Sequence, residues 1–252
     1  MQFYEQVSGA RMHSCYFRPG GVAYDLPLGF LDKVFIFTEQ FSSRIEELEI
    51  FLKENRIWKQ RLINVGVISK ELNYQYAMSG VLLRGSGIKW DLRVTQPYEI
   101  YNRLNFLIPC GVKGDCYDRF NVRIEEMKQS VTIIIQCLNL IPFGPIKVNN
   151  KVSPPSKFFL NNSMESVIDF FKLFSSGFLV PRNSVYSSIE SPKGELGVFL
   201  FSDQTGIPYR CKVRSPGYYH LQILNVLAKN AYLADIVALI GTLDIVLGEI
   251  DR

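Results

Sequence analysis

The residues best equipped for chemistry stand near the front of the chain. Arg11, His13 and Arg18 put three nitrogen donors within eight residues, with only Glu5 and Asp25 as nearby acids. Imidazole is the side chain that exchanges a proton near neutral pH without help from its surroundings. The chain holds only two histidines, His13 and His220. Ser8, Gly9 and Ala10 are small enough to let another backbone come close, and Pro19-Gly20-Gly21 is a break that no helix interior tolerates. Residues 7–13 therefore read as a helix end, with the donors set at the break. That makes a candidate site. The plainer alternative leaves both arginines solvated and His13 as a helix cap, and His220, at the start of a later helix, reads as structural.

Other chemistry-bearing groups are scattered. The glycine-rich stretch from Leu83 to Tyr98 carries Arg84, Lys89, Asp91 and Arg93 around Trp90. Loops of this make-up are often functional or interfacial, so the four charges are candidates for an ion-paired clamp between subunits or loops. Loop structure alone explains them equally well. Asp115, Asp118 and Arg119 read as the fixings of a helix start. The five cysteines, at 15, 110, 116, 137 and 211, are odd in number and never spaced as a C-x-x-C pair. They imply neither a disulfide framework nor a metal site within this chain, and a reducing compartment is the simplest inference.

The elements that must position these groups are mainly helical. Val34, Phe37, Phe41, Ile45, Leu48 and Phe51/Leu52 recur at spacings of three and four, predicting a core helix over 31–55 that Asn55 closes. Phe120, Ile124, Met127, Val131, Ile134, Leu138 and Ile141 predict a second over 117–141, its free amides capped by Asp115. Shorter helices are expected over 70–79, capped by Ser69 and ended by Gly80, and over 162–175, opened by a box of Asn162 and Glu165. Three strands, 184–190, 196–201 and 209–214, form a small antiparallel sheet. Two helices, 217–228 and 232–240, precede the tail. The expectation is one domain spanning 1–252.

Composition narrows the classes. With 47% hydrophobic and 21% charged residues, the chain is expected to fold rather than remain disordered. Its net charge of +4 is scattered, so nucleic acid is not expected as a partner. The longest apolar run, 131–141, contains Gln136 and Asn139 and is too short to span a bilayer. The start, M-Q-F-Y-E-Q, shows no signal or transit peptide.

Six stretches, in order, carry a resemblance: F-Y-E-Q-V-S-G-A-R-M-H from Phe3, R-P-G-G-V from Arg18, N-R-I-W-K from Asn55, L-R-G-S-G-I-K-W-D-L-R from Leu83, G-D-C-Y-D-R from Gly114, and D-I-V-L-G-E-I-D-R from Asp244. Together they resemble the hydrogenase-like quinone-site subunit of NADH:ubiquinone oxidoreductase, respiratory complex I, called subunit 7 in mitochondrial genomes. The resemblance implies an α+β, mostly helical fold like the large subunit of nickel-iron hydrogenases. It also implies a core subunit, not catalytic alone, that supports NADH-to-ubiquinone electron transfer coupled to proton translocation. Hydrogenases hold their metal partly through a terminal D-P-C-x-x-C. Here Val246 and Glu249 stand at those cysteines, and without soft sulfur ligands no nickel-iron centre is expected. The old metal cavity would form part of the quinone chamber, lined by Met12, Asp244 and Val246.

The resemblance further implies that no cofactor is ligated by this chain and that ubiquinone is the substrate. A terminal [4Fe-4S] cluster held by the neighbouring small subunit would lie against Arg11, His13 and Arg18. A cation about 6 Å from a cluster gains roughly 3 kcal/mol when the cluster is reduced, at an effective dielectric near 20. That is enough to carry an imidazole across neutral pH, so His13 is the candidate for redox-linked proton uptake. Other core subunits, including the membrane-arm subunit at the junction, are the expected partners, on the matrix side of the inner mitochondrial membrane or the cytoplasmic face in a bacterium. Family members are longer at the front, where an N-terminal sheet carries the quinone-binding His and Tyr. A separate N-terminal fragment, from a split gene, is therefore expected. Two alternatives stand beside this reading: a structural fragment with all quinone chemistry on the missing chain, and a subunit of a related membrane-bound hydrogenase.

Overall fold

The computed structural model describes residues 1–148, 150 and 152–251. It is about half helical with two small antiparallel sheets, consistent with the α+β class that the resemblance implies. The chain opens with α1 (Gln2–Ser8), the short strands β1 (Phe17–Arg18) and β2 (Gly21–Val22), and α2 (Phe30–Glu54). Then come α3 (Arg56–Leu62), α4 (Lys70–Gln75), α5 (Val81–Gly85), α6 (Leu92–Thr95) and α7 (Cys116–Leu140). The second half holds α8 (Lys157–Asn162), α9 (Met164–Ser175), β3 (Asn183–Ser191), β4 (Gly194–Ser202) and β5 (Arg210–Arg214), then α10 (Pro216–Leu227), α11 (Leu233–Leu243) and α12 (Leu247–Ile250).

The chain divides into two compact units. The first comprises Met1–Phe37, Leu138–Val185 and Leu200–Cys211; the second comprises Thr38–Cys137, Tyr186–Phe199 and Lys212–Arg252. Periodicity follows a helix without reporting which body each of its turns belongs to, and both long helices contribute residues to both units.

The second unit holds the core. Ile68, Met78, Leu82, Ile223 and Leu243 form one buried cluster; Ile45, Ile124 and Val131 a second; Leu62, Cys116 and Leu239 a third. Each buried aliphatic side chain contributes about 1.5–3 kcal/mol. The repeats that predicted α2 and α7 are therefore partly realised, with Ile45 meeting Ile124 and Val131 while Phe41, Phe120 and Met127 close the edges. The stripes run past the burial, however, since Leu48 and Phe51 on α2 and Ile134 on α7 stay exposed. Conversely α7 buries a second face through Cys116, Arg119 and Val122, and an arginine does not read as core.

Caps explain most boundaries. Asn55 closes α2, which ends at Glu54, and also starts α3, its Oδ1 accepting from the Ile57 and Trp58 amides at 2.9 and 3.3 Å. Ser69 caps α4 as expected, but α4 stops at Gln75 rather than Ser79, because Tyr76 leaves the helix and Ala77 turns left-handed at φ 50°. Gly80 then opens α5 instead of ending α4. The glycine-rich stretch is thus no simple loop; it folds into α5, a turn and α6, capped by Asp91. Ser163, not Asn162, caps α9, accepting from the Ser166 amide at 3.4 Å, and Asn162 is the last residue of α8. Asp115 caps α7 as predicted, accepting from the Asp118 amide at 2.8 Å, and its other oxygen ties down the Asn64 amide at 3.0 Å.

In the first unit, Phe3 of α1 packs edge-on against Phe30 and Phe37, at centroid distances of 5.7 and 5.4 Å. Pro19-Gly20 joins β1 to β2, pairing Phe17 with Val22 and Arg18 with Gly21. Gly20, at φ 88°, supplies the positive φ that such a Pro-Gly turn requires at its third position. Strands of two residues are too short to show alternation, which is why the pattern predicts only the sheet with order β3-β4-β5. Every fully buried hydrophobic residue belongs to the second unit, so among the described residues the first has none.

Candidate functional site

The predicted residues fall in both units. In the first, α1 ends at Ser8, where Gly9 turns left-handed at φ 79° and donates its amide to Glu5 O at 2.9 Å. Arg11, Met12 and His13 therefore lie beyond the helix, not on its last turn as the sequence suggests: the small residues that invite a close approach also release the helix. Arg11 Nε pairs with Glu5 Oε2 at 3.0 Å on the surface, a bond that is worth little there. Met12 is 71% exposed and His13 is exposed beside it, while Arg18 is half-buried on β1. Arg18 also borders a cavity of about 630 Å³ that Tyr24, Lys147, Ser153, Phe170 and Phe174 help to line. The loop thus presents a thioether, an imidazole and a guanidinium outward. Such a surface is open to a neighbour.

In the second unit, Asp244 ends α11 in the left-handed region, at φ 56° and ψ 47°. It lines a cavity of about 550 Å³ walled by Trp58, Leu62, Phe120, Val237 and Ala238, with Arg123 as the other charged group. Arg123 Nη2 donates to Thr242 O at 2.7 Å, and the Asp244 charge partly offsets the burial that weakens its hold on a proton. The hollow is mainly apolar, with one acid and one guanidinium among its lining groups. Sequence reasoning finds Asp244 but misses Trp58 and Arg123. Arg123 stands four residues after Arg119, one helical turn along α7, and that spacing is the signal. Val246 does not line this hollow and is half exposed.

The charges of the glycine-rich stretch turn inward. Arg84, 2% exposed, donates from Nε to Glu126 at 2.7 Å and from Nη1 to Glu190 at 2.8 Å and to Trp90 O at 3.1 Å. Arg93 grips Asp91 with two nitrogens, at 3.1 and 2.7 Å, and lies over the Phe106 ring at 4.9 Å. Burial works against the Arg84 charge, but Glu126, Glu190 and Asp91 together hold it above its ordinary pKa. Of the four candidates only Lys89 is exposed. Two of the three carboxylates come from α7 and β3, and no local pattern could have joined them to this stretch. The G-D-C-Y-D-R stretch is likewise internal, with Arg119 fully buried and donating to Gly114 O at 2.8 Å and Gly66 O at 3.0 Å.

In the tail, the Glu249 side chain turns inward. Glu249 Oε1 accepts from the Gly217 amide at 3.2 Å and Oε2 pairs with Lys193 at 2.8 Å. A carboxylate there faces the positive end of α10, where an anion is stabilised. Among the described residues no group of three or more His, Cys, Asp or Glu side chains is placed to hold a metal ion.

His220, on α10, is 1% exposed, and among the described residues neither ring nitrogen makes a well-formed hydrogen bond, the Leu243 backbone being its nearest polar neighbour. Burial lowers its pKa to about 4, although the Leu243 backbone and the Glu249 charge act the other way. The unfolded chain takes the proton first as pH falls, so stability is full above about 6.5 and is lost as pH drops through 4, by about 3 kcal/mol. Replacing His220 with leucine is expected to flatten the unfolding midpoint between pH 4 and 7. An acid limb identical to that of the parent would contradict the assignment.

The sequence model of the family described as "Respiratory-chain NADH dehydrogenase, 49 Kd subunit" matches residues 1–252. Among curated relatives, NADH dehydrogenase [ubiquinone] iron-sulfur protein 2 of Nephroselmis olivacea is 55% identical, over all of this chain and 64% of the relative. The NADH-ubiquinone oxidoreductase 49 kDa subunit of Reclinomonas americana and the iron-sulfur protein 2 of Arabidopsis thaliana are each 54% identical, again over the whole chain and 64% of the relative. The chain therefore spans somewhat less than two thirds of the length of these relatives. With a match running from the exposed R-M-H loop to the D-I-V-L-G-E tail, the chain belongs to the family of the 49 kDa subunit of respiratory-chain NADH dehydrogenase.

Proposed function

We propose that the chain is a core subunit of NADH:ubiquinone oxidoreductase, built on the hydrogenase large-subunit plan, that forms part of the ubiquinone-reduction chamber. Asp244 supplies a polar wall from its hollow in the second unit, and the half-exposed Val246 two residues on supplies an apolar surface outside that hollow. Arg11, His13 and Arg18 face the terminal [4Fe-4S] cluster of the neighbouring small subunit, which supplies the electrons. The observation that carries this reading is the full-length family match joined to the outward presentation of Arg11, Met12 and His13. The arginines favour electron arrival by fixed charge, and His13 takes a proton as negative charge grows beside it. The first unit's lack of buried apolar side chains supports docking against other core subunits, including the membrane-arm junction subunit. Among the described residues no helix is long and apolar enough to cross a membrane. The chain is placed peripherally, on the matrix face of the inner mitochondrial membrane.

The test uses the assembled complex carrying His13→Ala or Val246→Met. One proton taken up per electron gives the cluster potential a slope of about 59 mV per pH unit, and His13→Ala is expected to flatten whatever slope the parent shows. Val246→Met is expected to raise KM for quinone and alter inhibitor sensitivity while leaving the cluster's spectrum unchanged. Parental potentials, kinetics and inhibitor response in both variants would favour a purely structural role.

A further inference from the structure

The Asp244 hollow holds a charged donor and a charged acceptor that do not satisfy each other. Arg123 and Asp244 border the same cavity of about 550 Å³. Among the described residues the one hydrogen bond of Arg123 runs from Nη2 to Thr242 O at 2.7 Å. Its other nitrogens are not among the buried atoms that lack a partner. A guanidinium only donates, so the rest of the fork is open to whatever enters. Asp244 is set by its backbone, at φ 56° and ψ 47°. Among the described residues its carboxylate meets no donor and pairs with no cation at bonding distance. Between the two charges the wall is apolar, with Trp58 and Phe120 edge to face at 5.6 Å.

We propose that this hollow is a subsite that prefers the reduced quinone, with Arg123 donating to a quinol oxygen and Asp244 accepting from a quinol hydroxyl. The inference rests on the quinone-chamber reading and adds the redox form that this part of the chamber favours. The carbonyl oxygens of a quinone only accept. Arg123 can serve one of them, but an ionised Asp244 then faces the ligand with nothing to accept. A quinol carries the missing hydrogens, since each of its hydroxyls both donates and accepts. Of the two forms it alone answers both charges. A site that hydrogen-bonds a hydroxyl discriminates against the analogue lacking it, because its own polar group is then left unpaired. Arg123 therefore supplies affinity for both forms, and Asp244 supplies the preference. The aromatic pair offers either ring the same apolar contact and takes no part in the choice.

The assembled complex is assayed with NADH and a short-chain ubiquinone, with the matching quinol added as product inhibitor. Rates are normalised to the cluster's spectrum, so that only assembled particles count. Asparagine is among the residues most at ease in left-handed backbone, so Asp244→Asn keeps the end of α11 while its amide offers the quinone a donor. The inhibition constant of the quinol is expected to rise relative to KM for the quinone by roughly tenfold, the ratio that 1.4 kcal/mol produces. Arg123→Met is expected to raise both constants together. Constants that move in parallel in Asp244→Asn, or an Arg123→Met enzyme that handles both forms like the parent, would overturn the assignment. Asp244→Asn decides alone where Arg123→Met does not assemble. Parental constants in Asp244→Asn, with KM still raised in Val246→Met, would remove the subsite and leave the quinone reading standing; parental kinetics in all three variants would remove both.

Discussion

Replacing Arg84 with alanine is expected to prevent accumulation of the folded chain. The guanidinium is 2% exposed and donates to Glu126, Glu190 and the Trp90 carbonyl. Its removal leaves Glu190, itself 4% exposed at the side chain, as a carboxylate with no cation at bonding distance. Breaking a buried pair in this way costs about 3–5 kcal/mol, a large part of the 5–15 kcal/mol that holds a typical domain. Arg84→Lys keeps the charge but cannot reach two carboxylates and a carbonyl from one planar fork, so an intermediate loss is expected. Steady-state level and unfolding midpoint of the assembled subunit measure both. An Arg84→Ala subunit that accumulates like the parent would show that the network does not hold this unit together.

Gly80→Ala is expected to be nearly as damaging, for a reason independent of charge. Gly80 adopts φ 65° and ψ −138°, close to a region that is essentially glycine's alone. A Cβ there would lie 2.6 Å from Gly194 Cα and from Lys193 O, backbone atoms at the start of β4 and in the turn before it. Ser79 Oγ accepts from the Glu195 amide at 3.1 Å and pins that turn in place. A clash with fixed backbone, added to the conformational penalty, is expected to destabilise by about 4 kcal/mol or more. Gly9→Ala is the control: its φ is also positive, at 79°, but a Cβ would meet nothing within 4 Å, so only the left-handed penalty of about 1–2 kcal/mol applies. Equal midpoint shifts in the two variants would refute the close-packing argument.

What the sequence showed plainly was whatever physics writes locally. The apolar repeats place α2 and α7 within a residue of their observed limits, and Ser69 and Asp115 announce their helices through side-chain oxygens. Alternation finds β3, β4 and β5. Boundaries set by competition were harder: Asn55 follows one helix and precedes another, and only geometry shows which amides it meets. Long-range pairing left no local trace at all. Arg84 reads as a loop charge because Glu126 and Glu190 are 42 and 106 residues away along the chain. The Asp244 hollow shows the same limit, since Trp58 and Arg123 reach it from α3 and α7. The placement of Arg11 and His13 beyond α1 turned on Gly9, a residue read for the space it leaves rather than for the turn it permits.

The first unit's missing interior bears on how cells handle the polypeptide. On α9, which buries none of its residues, Met164, Phe171 and Phe174 are 72%, 70% and 61% exposed. A newly made copy that meets no neighbour offers this greasy surface to other nascent chains, to chaperones and to proteases. Its lifetime in isolation is therefore expected to be short.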